Sequence, residues 1–323
     1  MAAQELGPFR VEPRFDTRVW GFRDLRPWYN RVAEGDPIGE VWLTGDDCLI
    51  ATGPYMGKKL AQLFGEAHEA LLGPQAPSPE SPLLIKMLFA KEKLSVQVHP
   101  DDKLAQKYGQ PRGKTECWYA LAAEPDAKVA VGLKPGVTLE QVKEEIHAGT
   151  LESSLAVLQV ERGDMIFVDA GTVHAIWPGA IILETQQNCD ITYRMFDYGR
   201  PRELHVEKSI EATKLATRAG KFPPRQLSDR TVLIDVEYFR VEKMAAKGSY
   251  TSHDLRGVNG ARSLTWLFAA AGAGQLSGQG FDPVDLPARG IVGVPAASPE
   301  FVLEDRGGLE LIRIIPNWPG TKP

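Results

Sequence analysis

The sequence predicts a mainly β protein, with a sandwich or barrel architecture built twice along the chain. Three observations carry this. Short apolar segments recur along the chain and are punctuated by turn signals. Glycine and proline number 31 and 24, which suits many tight turns better than a helical bundle. The chain is 323 residues long, too long for one small core and enough for one large domain or two modest ones.

The elements follow in order. Residues 9–15 carry apolar side chains at 9, 11 and 15 and are weakly strand-like. Residues 38–43 form a short strand that ends at Thr44-Gly45-Asp46. Residues 58–72 place Leu60, Leu63, Phe64, Ala67, Leu71 and Leu72 on one stripe and predict a helix. Gly57 precedes it and Gly73-Pro74 ends it. Residues 73–82 hold four prolines and form a loop. Residues 83–90 are an apolar strand with one charge, Lys86, which is costly to bury unpaired.

Strands are expected at 94–98, 114–122 and 128–133, with one or two helical turns at 101–108. Residues 138–148 read as a helix capped by Thr138, with Gln141 at the capping-box position and Gly149 as the stop. Its apolar face is Leu139, Val142 and Ile146. Strands are expected again at 155–159, 165–168, 180–186 and 191–195. Gly220 and Pro223-Pro224 interrupt the pattern, so the expected division is residues 1–222 and 223–323. In the second part 232–241, 263–270, 291–294, 301–303 and 309–314 read as strands.

Composition excludes several classes. No apolar run approaches the length of a membrane span. Three cysteines, Cys48, Cys117 and Cys189, cannot make a disulfide framework and read as reduced core thiols. Residues 1–7 lack the pattern of a secretory signal, so a cytoplasmic protein is expected. The formal charge of -5 gives no general pull towards nucleic acid, and no zinc-finger cysteine pair or basic patch with interleaved aromatics is present.

The densest chemistry lies in 95–102. Strand alternation puts Gln97 and His99 on one face. Glu116 sits in an aromatic strand and needs a partner, for which Lys114 on the same face is one candidate. His174 follows a glycine turn at a strand start. One Gln, two His and one Glu make a mixed N/O set that suits zinc, manganese or iron(II). Cys117 faces away from Glu116. His253 stands alone, so no second ligand cluster is expected in the later part of the chain.

Five segments carry a likeness. They are 38–42 (Ile-Gly-Glu-Val-Trp), 82–88 (Pro-Leu-Leu-Ile-Lys-Met-Leu), 94–102, 113–121 and 184–194 (Glu-Thr-Gln-Gln-Asn-Cys-Asp-Ile-Thr-Tyr-Arg). In this order they resemble the type I mannose-6-phosphate isomerases, in their short bacterial form, strongly from about residue 10 to residue 210. The resemblance implies two cupin (jelly-roll) barrels, the first metal-bearing with a small helical elaboration and the second degenerate. It implies one zinc ion per chain on Gln97, His99, Glu116 and His174. It implies reversible interconversion of mannose 6-phosphate and fructose 6-phosphate. Arg194 matches the family's active-site arginine and Lys114 its active-site lysine, and Lys86 and Glu184 lie in matching motifs. The chain departs from the family at Trp20-Gly21-Phe22-Arg23-Asp24-Leu25, where a second glycine is usual, and at Asp169, where a proline is common.

Such a reaction moves a proton between C1 and C2 through a cis-enediol. It needs an opened sugar, one base that reaches both carbons and positive charge near the developing oxyanions. Arg194 is expected to grip the phosphate or the enediolate, with Arg200, Arg202 and Lys208 as further phosphate donors or a solvated face. The base stays open among Glu184, His99 as a non-ligand, and a lysine. The competing readings are another metal cupin enzyme, either a different sugar-phosphate isomerase or an iron oxygenase, and a non-catalytic sugar-phosphate-binding or regulatory cupin. The sequence does not set the oligomeric state.

Overall fold

The computed structural model describes residues 6–74, 76–257 and 262–317. The chain divides into two compact units that are not contiguous in sequence. One comprises Phe15–Val41 and Leu84–Phe222; the other comprises the described parts of Met1–Arg14, Trp42–Leu83 and Pro223–Pro323.

The first unit holds the expected site residues and is built on two sheets. One has the strand order Tyr193–Phe196, Val96–Val98, His174–Ile176, Lys128–Leu133, Leu155–Gln159. The other has the order Gly220–Lys221, Met165–Val168, Glu116–Ala123, Ala180–Gln187, Leu83–Phe89, Ile38–Trp42, Arg14–Phe22. One continuous core joins their facing sides: Trp20, Leu88, Trp118, Ile166 and Ile182 from the seven-stranded sheet meet Val129, Val131 and Ile176 from the five-stranded one. This is a jelly-roll barrel with a filled interior.

The outer face of the five-stranded sheet is also buried. Val96, Val98, Ala130, Ala175, Tyr193 and Met195 pack there with Val142 and Ile146 of the helix Leu139–Ala148 and with Ala212 of the helix Val206–Ala212. The Thr138 side chain accepts from Gln141 N at 3.2 Å and Gly149 ends the first helix at φ 69°, as its capping pattern predicts. Burial on both faces explains why Val96 and Val98 are as apolar as the interior residues.

Period-two alternation then positions the chemistry. Five strands carry an apolar residue in the barrel core and, two positions along, a polar one: Trp20 with Arg18, Leu88 with Lys86, Trp118 with Glu116, Ile182 with Glu184, and Ile176 with His174. The polar members share one cavity, apart from His174, whose ring contacts Gln97 in that cavity. The barrel thus has an apolar floor and a charged mouth.

The second unit has a seven-stranded sheet (Phe9–Val11, Ile291–Val294, Thr265–Ala271, Glu310–Pro316, Phe239–Met244, Arg230–Asp235, Arg225–Gln226) and a four-stranded one (Ser249–Thr251, Phe301–Asp305, Gly274–Gly278, Val284–Leu286). A core of Tyr250, Leu267, Leu276, Val292, Leu303 and Leu311 lies between them. The helix Leu60–Leu72 belongs to this unit and buries Leu60, Leu63, Phe64, Leu71 and Leu72, with a kink at Ala67.

Several elements differ from the sequence expectation. Residues 232–241 are not one strand: Arg230–Asp235 and Phe239–Met244 form a hairpin in which Asp235 faces Arg240. Its turn, Val236-Glu237-Tyr238, contains no glycine or proline, so no turn signal marks it. Arg14–Phe22 is a nine-residue strand whose half-buried charged positions, Arg14, Asp16 and Arg18, conceal it. The short helix Val206–Ala212 was likewise not signalled.

Candidate active site

The strand Val96–Val98 is an interior strand of the five-stranded sheet: Gln97 is paired with His174 on one side and with Arg194 on the other. One hydrogen-bonded row therefore carries Gln97, His174 and Arg194. His99 continues the alternation past the strand end. Across the barrel, Glu116 opens the strand Glu116–Ala123 and Gln186 is its neighbour in register.

These residues meet. Among the described residues, one group of three His, Cys, Asp or Glu side chains brings its ligand atoms together: those of His99, Glu116 and His174 lie within 4.8 Å of one another. His99 Nε2 is 3.6 Å and His174 Nε2 is 3.5 Å from the Glu116 carboxylate. The Gln97 amide lies 3.2 Å from His174 Nε2. Both imidazoles are fixed from behind. His99 Nδ1 is 2.8 Å from the Ile191 carbonyl oxygen and His174 Nδ1 is 2.8 Å from that of Thr172. A carbonyl only accepts, so each Nδ1 carries the proton and each Nε2 presents a lone pair to the centre. Trp118 Nε1 donates to Glu116 Oε1 at 3.1 Å, while Oε2 accepts no well-directed hydrogen bond although Lys114 Nζ is 3.1 Å away.

Burial keeps the two histidine ligands neutral. His174 is pulled down to about 4 by burial. His99 is held well below its ordinary value by burial, then by the charges of Lys114 and His174. Neutral imidazoles, a carboxylate oxygen and an amide are the donor set of a borderline divalent metal such as zinc. The residues present fit such an ion, with the Gln97 amide turned to offer its oxygen.

Beside this set runs a ladder of alternating charge, one side chain per strand or strand end. Lys114 Nζ is 3.2 Å from His99 Nε2 and 3.9 Å from Glu184 Oε1. Lys86 Nζ is 3.2 Å from Glu184 Oε2 and 3.7 Å from Glu40 Oε1. Arg18 donates to Glu40 Oε2 at 2.8 Å. Burial alone would lower both lysines; Glu184 and Glu40 reverse this for Lys86, and Glu116 and Glu184 for Lys114, so both stay ammonium. Glu184 moves the other way. Burial and the nearby Glu116 charge raise it to about 7, against the pull of Lys86 and Lys114. It is a buried carboxyl poised to take up or release a proton near neutrality.

The cavity over this ladder has a volume of about 340 Å³, within the range of small-ligand sites. Lys86, Gln97, Lys114, Glu116, Glu184 and Arg194 all line it. His99 and His174 lie beneath, 1 % exposed. Arg202 lines it too, but Arg200 and Lys208 do not. Arg200 ties Asp197 to Glu92 and to the Lys93 carbonyl, and the Lys208 ammonium lies over the rings of Tyr108 and Tyr193. Arg18, Glu40 and Asp190 line the cavity as well, and no sequence motif assigns a role to any of these three charged residues. The Arg18/Trp20 alternation was the available signal for the first, and the segments around Glu40 and Asp190 for the other two. All three cysteines are buried and none forms a disulfide, and burial raises the Cys117 thiol well above its usual value.

A cupin barrel with this charged mouth defines an enzyme that works on a small polar substrate over a metal-capable centre. The comparisons with known proteins narrow the class. The family described as phosphomannose isomerase type I, catalytic domain, matches residues 9–139. A mannose-6-phosphate isomerase of Bacillus subtilis (strain 168) is 36% identical over 257 residues, covering 75% of this chain and 80% of that protein. A solved mannose 6-phosphate isomerase from Bacillus subtilis superposes with a TM-score of 0.84 at 30% identity, over 96% of this chain and 99% of that one. A zinc-bound mannose 6-phosphate isomerase shares the fold, with a TM-score of 0.78 at 15% identity over 97% of this chain and all of that one (100%). The chain belongs to the type I mannose-6-phosphate isomerase family.

Proposed function

We propose that the protein interconverts mannose 6-phosphate and fructose 6-phosphate through a cis-enediol, with one zinc ion held by Gln97, His99, Glu116 and His174. The observation that carries this reading is the pair of imidazoles anchored through Nδ1, so that both Nε2 atoms converge on Glu116. The family's activity and the zinc-bound structure of similar fold support it. When bound, the ion supplies Lewis acidity to the sugar oxygens.

The residues of the chain do the rest. Glu184, as carboxylate, takes the C2 proton of the open-chain aldose and returns it to C1, while a proton passes from O2 to O1, so that the carbonyl moves from C1 to C2 and the ketose results; the reverse reaction uses the same group. Its value of about 7 lets it accept and donate at neutral pH. The Lys114 ammonium sits between the ligand set and Glu184 and donates to the oxygen that gains charge as the enediol forms. Lys86 balances Glu184 and holds its carboxylate in one orientation. Arg194 reaches the cavity from the opposite sheet to bind the phosphate. Five cationic and four anionic side chains line the cavity, and a divalent ion tips that balance further positive. An acidic chain can therefore take a dianionic substrate, since the local charges decide.

The test is a coupled assay for fructose 6-phosphate formed from mannose 6-phosphate, with glucose 6-phosphate as the control and metal analysis of protein purified without added metal. Turnover of mannose 6-phosphate by zinc-loaded protein is expected. Stoichiometric iron with oxygen consumption would instead identify an oxygenase.

A further inference from the structure

We infer that Asp197 and Arg202 form a second anion-binding hand at the cavity mouth: Asp197 positions the Arg202 guanidinium so that, with Arg194, it grips the phosphate of the substrate and sets the preference for phosphorylated over free hexose. This rests on the isomerase reading above.

The hand is built on one loop. Its base is closed by Arg194 N donating to His205 Nδ1 at 3.1 Å and by His205 N donating to the Arg194 carbonyl at 2.7 Å. Its tip is a tight turn with Tyr198 at φ 54° and Gly199 at φ 80°, closed by Arg200 N on the Asp197 carbonyl at 3.0 Å. A left-handed tyrosine is a strained conformation, held only where the surroundings over-determine it.

Asp197 is the pivot. It is 2 % exposed and accepts from Arg202 Nε and Nη2, both at 2.7 Å, and from Arg200 Nη1 at 3.2 Å. The two-pronged contact locks the Arg202 fork in one plane. Arg200 also donates the same Nη1 to the Lys93 carbonyl and its Nη2 to Glu92, and so points away. Arg202 keeps Nη1 for a ligand and lines the cavity together with Arg194.

Arg194 is under-satisfied in the same place. Its Nη1 donates to the Glu203 carbonyl at 2.8 Å, but its buried Nε has no hydrogen-bond partner. Burial and then the charge of Arg202 act against its protonated form. Two guanidiniums that repel each other, one with an unpartnered buried N–H, are relieved by an anion with several acceptor oxygens. A phosphate monoester supplies three. Holding one guanidinium on a buried carboxylate beforehand lowers the ordering cost of binding.

The experiment measures kcat and KM for mannose 6-phosphate and for free mannose, with inorganic phosphate as competitive inhibitor, in the wild type, Arg202→Met, Arg202→Lys and Asp197→Asn. Arg202→Met is expected to raise both KM for the phosphorylated sugar and the inhibition constant of phosphate by about 10- to 100-fold, with most of the change in KM and not kcat. The ratio of kcat/KM for mannose 6-phosphate to that for mannose should fall by the same factor. Asp197→Asn should move the ratio in the same direction by about 10-fold, and Arg202→Lys should recover part of the loss. Variants that lower turnover of both sugars equally, and leave the ratio unchanged, would overturn the inference by showing a merely structural loop. A wild-type chain that does not isomerise mannose 6-phosphate would overturn the proposed function. In that case a phosphate-dependent rise in melting temperature, present in the wild type and lost in Arg202→Met, would still uphold the hand, and its absence from the wild type would overturn it.

Discussion

Lys86→Met removes the ammonium that faces Glu184 across 3.2 Å while keeping much of its stem. The Coulomb interaction lost at that distance is about 5 kcal/mol for an effective dielectric constant of about 20. Lys114 remains 3.9 Å from the same carboxylate, and the cavity admits water, so the net effect reduces to about 1–3 kcal/mol, or about one to two pH units. The sign is upward, because losing a nearby cation disfavours the carboxylate. Glu184 lies at about 7 in the native chain, so its half-titration moves to about 8–9. A base that must be ionised is then scarcer at neutral pH, and kcat/KM at pH 7 falls by about 5- to 50-fold. The loss shrinks as pH rises through 9. The assay is the pH profile of kcat/KM for mannose 6-phosphate in both proteins. A bound dication lowers the acidic limb in each, so the difference between the limbs is the quantity to read. Coincident limbs, or a loss that stays constant across pH, would refute Glu184 as the proton carrier and Lys86 as its counter-charge.

Other outcomes follow from the same geometry. His99→Ala removes one lone pair of the converging set and should abolish stoichiometric metal and reduce kcat/KM by at least about 1,000-fold, read by metal analysis and the coupled assay. Trp118→Phe deletes the 3.1 Å bond to Glu116 Oε1 and should weaken metal affinity by about 10- to 100-fold with the fold retained, as titration against a competing chelator would show. The metal-free chain should lose stability on acidification: His174 falls from 6.5 unfolded to about 4 folded, so the unfolded state binds more protons between those values. Its contribution, about 3 kcal/mol, is present above pH 6.5 and lost as pH falls towards 4; urea midpoints at pH 7, 5.5 and 4.5 that do not decline would contradict this.

The candidate ligands were legible because strand alternation and residue chemistry act locally. Gln97 and His99 share a face by period two alone, and Lys86 in an apolar strand announces a buried partner. That partner, Glu184, is nearly a hundred residues away, and no local pattern pairs the two. Arg18 was hidden for a related reason. Its strand mixes Arg14, Asp16 and Thr17 with an outward-facing Val19, so no clean alternation marks it until its neighbour Ile38–Trp42 is in place. The division into units was harder still. Phe9–Val11 pairs with Ile291–Val294, a contact between chain ends that hydrophobic periodicity does not encode. The loop through Asp197 read only as a run of charges, since its meaning depends on one buried carboxylate choosing two of three arginines.

The central claim is that the anchored His99, Glu116 and His174 set, with Gln97, holds the metal on which isomerisation depends. Its most direct measurement is activity on mannose 6-phosphate as zinc is titrated into fully chelated protein. The expected result is no turnover without metal and recovery that saturates at one equivalent per chain. Full activity after complete metal removal would contradict it.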